Sequence, residues 1–556
     1  MNEKTKTGLE ILEAAVLLGV LGDVLLRETP FGLNVLLFVS ALVAAMIMLT
    51  LRRRNGLFNA NTIALHVALV FLAAMFAWRD SMELKIFDTF AVITILGLLT
   101  LPALKINVKT AGAIHYFYAA FWSGINAAFA PFFLLFDDIK WKTIPQTGWS
   151  KHLIAVLRGL AIAAPILLIF GALFVAADAV FQGIVEKTFN IRPEIFFGHI
   201  ALTGFLAWIV AGYLRGSLME SFSMNAAENL LEGKSEIKPP TLSITEEVKE
   251  DAKTNAKTDT KPPNAKKSRD WRNPDNSLMP NTFTLGAIEI SVVLGLINLL
   301  FLSFVIVQMP YLFGGMDLVQ NTPDFKLADY ARRGFGELVT VAALVLPILL
   351  VSHWLLRKDS PINEKIYRVL AGINVGLLFV IMISAAQRLF LLTGNLGYGL
   401  TTIRFYPMVV MIWLALVFAW FCLTVLRGKR ENFAWGALWS GVFILGVLHV
   451  ANPDDFIVRT NIRLMNEGRT FDARYNSNLS DDAVPVLLEN LPSMNYEQQC
   501  TVKNKILDRF DEAAAETDFR SWNWARYAAR AAMARQKEDL ITANCPAYTR
   551  NYREDF

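Results

Sequence analysis

Charge is scarce in this sequence. Asp, Glu, Lys and Arg together make up 18% of its 556 residues, where a soluble globular chain carries about a quarter. Apolar residues reach 54% and the mean hydropathy is +0.40, values that exclude an ordinary water-soluble domain and imply a lipid-facing chain. Cysteine is scarcer still. Only three occur: Cys422 inside an apolar run, and Cys500 and Cys545 close to the C-terminal end. No Cys-x-x-Cys pair exists, which disfavours zinc ribbons and thioredoxin-like redox chemistry. The net charge of +4 is too small to argue for nucleic acid. The basic residues fall in short clusters between apolar runs, as a membrane topology signal does, and not along one face.

Motifs that carry catalysis are missing as well. Gly233-Lys234-Ser235 ends like a phosphate-binding loop, but Glu228 stands where that pattern requires glycine. The stretch 394–399, Gly-Asn-Leu-Gly-Tyr-Gly, lies between two apolar runs and lacks the strand–helix context of a dinucleotide site, so a flexible interhelical turn is the better reading. Neither a His-Glu-x-x-His nor a Gly-x-Ser-x-Gly pattern occurs. His66, His115, His199 and His353 are single residues in apolar surroundings, where packing is expected in place of metal ligation. No catalytic residue, metal ligand or cofactor is therefore assigned.

What the chain does have is a series of apolar runs of about 20 residues, the length that crosses a hydrocarbon core of about 30 Å. They lie at 9–27, 33–51, 62–78, 84–104, 153–177 and 195–214, and again at 283–309, 329–356, 364–392, 401–426 and 433–450. Each must be helical, because unpaired backbone groups cannot face lipid. The expected fold is all-α: a polytopic bundle of about eleven spans with a small soluble helical module after it. The run at 9–27 follows Lys4 and Lys6 as a signal peptide would, but Glu10 and Glu13 interrupt its start and no small-x-small cleavage site follows.

The segment 111–136 is long enough to be a twelfth span. Gly124, Asn126 and Pro131 interrupt it, however, and charge bookkeeping fails if it crosses. Without it, Arg52-Arg53-Arg54, Lys105/Lys109, Lys140/Lys142/Lys151, Arg357/Lys358 and Arg427/Lys429/Arg430 all fall on one side with the N-terminus; an interfacial or re-entrant helix is expected. The positive-inside rule then makes that side cytoplasmic and puts the tail outside. Four regions follow: a membrane half at 1–220, a Lys-, Asp-, Thr- and Pro-rich cytoplasmic loop at 221–282 with too little to bury for a fold of its own, a second membrane half at 283–450, and the soluble module at 451–556. In the module, 454–467, 481–490, 497–515 and 521–535 carry helical periodicity. Ser480 suits an N-cap before Asp481-Asp482, and Trp522, Trp524 and Tyr527 are expected in its core.

Ionisable residues within or beside spans are the candidates for function, because each unpaired charge costs a few kcal/mol or more in a bilayer. Asp23, Asp178, Arg333, Glu337, Arg388 and Arg404 all fall toward the outer leaflet and form a candidate polar cluster, read either as an ion-pair lock between helices or as a substrate or ion site. Depth along antiparallel neighbours pairs Glu337 with Arg388. Gly212-x-x-x-Gly216 and Gly372-x-x-x-Gly376 fit close helix–helix approach. Cys500 and Cys545 are a candidate disulfide if the module lies in an oxidising compartment.

Three motifs resemble a known family: Leu21-Gly22-Asp23-Val24-Leu25-Leu26 with Pro30-x-Gly32-Leu33-Asn34; Ala331-Arg332-Arg333-Gly334-Phe335-x-Glu337-Leu338; and Ala451-Asn452-Pro453-Asp454 with Val458-Arg459-x-Asn461. Together they resemble the domain-of-unknown-function family numbered four-one-seven-three, or its close sibling four-one-five-three. The resemblance covers most of 9–490, excluding 232–280, and implies a multi-pass bacterial membrane protein of unassigned activity; it brings no catalytic residues with it. The expected function is a non-enzymatic scaffold, sensor or accessory subunit whose partners are the bilayer and, through 451–556, other membrane or envelope proteins. A transporter or channel using the outer polar cluster is the alternative, and a membrane enzyme acting on lipid or envelope intermediates the third. The topology has a direct test. An Asn255→Cys variant in intact cells should resist an impermeant thiol reagent, and labelling there would refute the orientation.

Overall fold

The computed structural model describes residues 3–53, 59–141, 193–219, 285–313, 335–356, 361–390, 399–514 and 518–536, together with Thr393 and Cys545. The membrane half of the fold consists of α1 (Glu3–Leu26), α2 (Leu33–Arg53), α3 (Ala60–Trp78), α4 (Met82–Leu98), α5 (Ala113–Phe133), α6 (Pro193–Leu218), α7 (Ala287–Phe313), α8 (Phe335–Leu355), α9 (Pro361–Phe390), α10 (Thr402–Thr424) and α11 (Phe433–Ala451). The module follows without a linker as α12 (Pro453–Asn466), α13 (Ala473–Ser477), α14 (Val484–Glu489), α15 (Tyr496–Ala514) and α16 (Trp524–Arg535). The described residues contain no strand beyond an isolated bridge of Leu285 with Leu356. The fold is an all-α polytopic bundle, and ten described helical stretches are long and apolar enough to cross a membrane.

Those ten include nine of the expected runs and the segment Ala113–Asp138. The run at 153–177 lies outside the described residues. The first run, α1, is long enough to cross but is diluted by Lys4, Lys6, Glu10 and Glu13; it lies antiparallel along α6, with Gly19 against Ala207 and Gly22 against Leu206.

Contacts at the helix ends divide the bundle into a basic end and an opposite end. Arg52 reaches back to Glu10 near the start of α1. Fully buried Asp138, just past α5, sits between Lys4 at 2.7 Å and Arg215, in the last turn of α6, at 2.5 Å. Lys105 and Lys109 follow the end of α4, whose start meets the module, Lys140 follows Asp138, and Arg427, Lys429 and Arg430 connect α10 to α11, whose other ends meet the module, so all six lie at the same end. Helix α5 is therefore unusual. It starts beside the end of α4, where Gly97 meets Ala119 and Ala120, passes Gly212 and Gly216 near the end of α6, and finishes against Gly8 through Leu134 and Ile139. Both of its ends lie at the basic end, so it packs across the bundle although its length and composition would let it cross.

Two apolar cores fill the bundle. The first gathers α1–α6, and the second gathers α7–α10 with Phe433 at the start of α11. The module has its own core, in which Ile457, Val458 and Ile462 meet Val484, Leu487, Val502, Ile506, Ala529 and Met533. In α16 the buried stripe is Ala525, Ala529 and Met533, spaced four apart. Trp522, Trp524 and Tyr527, expected in that core, are instead exposed at 44%, 50% and 56%. Trp522 lies where the module meets the start of α2, through a bond from Leu33 N–H to Trp522 C=O. Amphipathic aromatics at the end of a membrane bundle gain more at the headgroup level than in a small core. Cys500 in α15 is joined to Cys545 by a disulfide, with Cα atoms 5.3 Å apart.

The two small-residue pairs behave differently. A Cβ on Gly212 would collide with the backbone oxygens of Asn126 and Ala127, the latter at 2.6 Å, and one on Gly216 would press on Asn126. Gly376 has nothing within 4 Å, and Gly372 meets only Leu426 at 3.9 Å; close approach at that second pair is not observed. The Gly212→Val variant should therefore lose on the order of 1–3 kcal/mol or more through overpacking, whereas Gly376→Ala should be neutral or slightly stabilising. Thermal melts in detergent compare them, and equal losses would refute this packing.

Candidate functional site at the bundle–module junction

The loop between α3 and α4 is only three residues long, Arg79-Asp80-Ser81, and its first two residues bond to the module. Arg79 is held on three sides. Its Nη1 donates to Asp482 Oδ1 at 3.0 Å, its Nε donates to the His449 carbonyl at 2.7 Å, and its guanidinium stacks 5.0 Å from the Trp78 ring centre. The Asp80 backbone N–H donates to Asp482 Oδ2 at 2.7 Å, and Asp80 Oδ1 takes Lys85 at 2.7 Å and Arg526 at 2.8 Å. Ser81 Oγ is 3.0 Å from the Tyr406 hydroxyl and donates to Glu83 at 3.2 Å.

Module residues also occupy the open ends of bundle helices, where backbone groups have no partner within their own helix. Asn523 Nδ2 donates to the carbonyls of Phe76 at 2.8 Å and Arg79 at 2.9 Å, closing the end of α3. Arg520 donates to the Val24 carbonyl at the end of α1. The Trp522 carbonyl accepts from Leu33 N–H at the start of α2 at 2.9 Å, and Tyr475 Oη accepts from Thr402 N–H at the start of α10 at 2.7 Å. Gly32 is needed here, since a Cβ would lie 2.6 Å from the Trp522 carbonyl oxygen. Asn34 fixes the approach by accepting from Gly32 N–H at 2.8 Å.

The third motif shapes the other wall. Asn452 adopts φ +52° between α11 and α12, a left-handed turn that Asn tolerates, and Pro453 opens α12. Asn461 clamps Leu400 by accepting from its N–H at 2.6 Å and donating to its carbonyl at 2.9 Å. Asp454, 2% exposed, accepts from Ser480 Oγ at 2.5 Å and Ser480 N–H at 3.2 Å through Oδ2, while its buried Oδ1 has no donor. Ser480 also caps the turn at Asp482, as its sequence position implies.

These walls enclose a cleft of about 480 Å³, lined among others by Asp80, Glu83, Thr402, Asp454, Tyr475 and Arg509. Burial pushes the Asp454 carboxyl up to about 6, with the charges of Glu83 and Asp482 adding to the rise and the Ser480 bonds opposing it. Burial likewise raises Asp481 and Asp482, against the pull of Arg509 on the first and of the Asp80 N–H and Arg79 on the second. Beneath Arg79, inside the bundle, His449 and Asp88 are 0% and 1% exposed and 3.0 Å apart. Because His449 Nδ1 faces the Leu445 carbonyl at 2.8 Å it must carry a hydrogen. The other ring nitrogen, Nε2, faces Asp88 Oδ2.

Of the six residues expected to form an outer cluster, four are described, and no ion pair joins one of those four to another. Asp178 and Arg333 lie outside the described residues. Asp23 pairs with His199 at 2.5 Å and with Arg27 at 3.8 Å, Arg404 donates to the Gly399 carbonyl at 2.6 Å, Arg388 is buried late in α9, and Glu337 is exposed in the first turn of α8. Among the described residues no ion pair joins Glu337 to Arg388. Their depths do match, but the face of α8 turned to the core is Leu338, Ala342, Val345 and Leu349, and Glu337 is about 100° around the helix from it. Arg79, Asp80, Glu83, Asp482 and His449 were missed. The signal for them was a charged Arg-Asp-Ser-x-Glu loop on the side otherwise poor in basic residues.

A membrane-embedded bundle carrying a helical module locked onto its end is the class that this fold and junction define. Residues 66–490 match the family described as Domain of unknown function (DUF4153), and the chain belongs to that family. Of the two siblings it resembles in sequence, four-one-five-three is the one matched. No curated protein and no solved structure matches the chain.

The junction has a pH signature. A carboxyl raised in the folded state binds more protons than its unfolded counterpart between about pH 4 and pH 6, so stability falls as pH rises through that window. For Asp454 the change is up to about 3 kcal/mol, with Asp481 and Asp482 acting in the same direction. The melting temperature of the module should rise on going from pH 7 to pH 5, and Asp454→Asn should flatten that slope. A module whose stability falls steadily on acidification would contradict this.

Proposed function

We propose that the protein is a non-enzymatic sensor or scaffold of the bacterial inner membrane, in which the external module registers a condition and transmits it through the junction into the bundle. The observation that carries this reading is Arg79. One side chain, 13% exposed, joins Asp482 of the module to the carbonyl of His449, whose ring meets Asp88 inside the membrane. The collection of basic residues at the far end supports a cytoplasmic placement of that end. The disulfide, a bond that persists in oxidising compartments, fits a module outside.

A transporter is the second reading, favoured by the buried Asp88–His449 pair, because ionisable groups at membrane depth often mark ion pathways. The same variants separate the two. Removing one partner of a buried pair costs about 3–5 kcal/mol and removing both can be nearly neutral, so Arg79→Leu and Asp482→Leu should each destabilise the junction, and the double variant should recover much of the loss. In a sensor, Asp482→Leu also raises hydrogen exchange severalfold at the distant loop 427–432 of the full chain in nanodiscs. Unchanged exchange there, or electrogenic flux in liposomes that these variants abolish, would overturn the sensor reading.

A further inference from the structure

Resting on the sensor reading, we infer that the cleft between the α3–α4 loop and the module is a binding site for a small organic ammonium ion, held by Asp454 and Glu83. The argument starts from charge. Asp80 is answered by Lys85 and Arg526, Asp482 by Arg79, and Asp481 by Arg509 at 3.5 Å. The ion pairs among the described residues give Asp454 and Glu83 no cation; their hydrogen-bond donors are Ser480 and Ser81. The two carboxylates lie close enough for Glu83 to act on Asp454 electrostatically.

The second observation is the orphaned atom. Asp454 is 2% exposed and lines the cleft, yet its Oδ1 is buried with no donor. A buried carboxylate oxygen without a donor carries a penalty of about 1–3 kcal/mol or more, which a bound N–H group removes. The Tyr475 hydroxyl already accepts from Thr402 N–H, so its own proton and remaining lone pair are available to a ligand.

The shape and donor set select the class. Among the described residues no three His, Cys, Asp or Glu side chains converge as a metal site, which leaves out a compact divalent ion. A space of about 480 Å³ takes a molecule of several heavy atoms, and an ammonium offers three N–H donors to spread between separated carboxylates and hydroxyls. The raised Asp454 carboxyl fits a site that awaits its cation, because a proton and an ammonium would compete for the same oxygen.

Titration calorimetry of the full chain in nanodiscs with 1,4-diaminobutane tests this. Saturable binding is expected at pH 7, weaker by about tenfold at pH 5 as the Asp454 proton competes. Asp454→Asn should weaken it at least tenfold. Glu83→Gln, at the less buried wall, provides the same reading if the first variant does not fold. Tetramethylammonium, which has no N–H donor, should not displace the diamine. Absence of saturable binding at pH 7, binding indifferent to both variants, or displacement by Ca²⁺ at lower concentration than the diamine would each overturn the assignment. Binding with no change of exchange at 427–432 upholds the ligand and overturns only the sensor reading; the reverse pattern overturns the ligand alone.

Discussion

Helix ends are the constraint on which this structure turns. Each helix leaves backbone donors at one terminus and acceptors at the other without partners, and near a bilayer water cannot be relied on to satisfy them. At the module end of the bundle the chain solves this with its own last hundred residues: Arg520 closes α1, Trp522 closes α2, Asn523 closes α3 and Tyr475 closes α10. Three of these are contributed by one short stretch ahead of α16. The module is thus an integral part of that end of the bundle, and its position is fixed by backbone groups that have nowhere else to bond. That explains why Gly32 and Asn34 form part of a motif. The backbone of Trp522 needs the space that a side chain at residue 32 would fill.

Charges follow the same geometry. At the basic end, Asp138 ties Lys4 to Arg215 and so joins the starts and ends of α1, α5 and α6. At the opposite end, Asp23 with His199 and the Arg79–Asp482 lock perform the equivalent service. Between them the described bundle carries the Asp88–His449 pair and scattered buried polar side chains such as His66, His353, Ser384 and the Asn298–Asn374 pair, bonded at 2.8 Å. Polar groups are thus concentrated where low dielectric meets water, the zone in which pairing is strong and desolvation is still incomplete.

Much of the fold was legible in the sequence because hydropathy and length act locally. Nine of the expected runs correspond to helices able to cross, and Ala113–Asp138, which charge bookkeeping sets apart, is a tenth by length and composition. What could not be read is azimuth and distant contact. Glu337 and Arg388 share a depth but not a face, a difference of one residue in helical phase. Arg79 and Asp482 are 403 residues apart, and nothing in either neighbourhood points to the other. Asp481-Asp482 looked like ordinary helix-start acids, and Ser480 does cap them; the second role of Asp482 exists only when α3 and α14 are brought together. Trp522, Trp524 and Tyr527 failed for a related reason: their periodicity suits a core, but the bundle offers them an interface that a free-standing module would lack.

The lock is also an odd way to hold two bodies together if holding were all it did. A buried ion pair often adds less stability than apolar residues of the same volume, because both charges must be stripped of water. The module already has an apolar core and a disulfide, so anchoring alone does not call for five carboxylates at the joint. Of those five, Asp80, Asp481 and Asp482 have cations and Asp454 and Glu83 do not. In the proposed sensor, this uneven arrangement would give the joint two states of protonation or occupancy, which a bistable element requires. Arg79 stands between that joint and the Asp88–His449 pair. In that reading, a change in charge on the Asp482 side would alter how firmly Arg79 holds the module end of α11, the helix that runs from His449 back to the basic end.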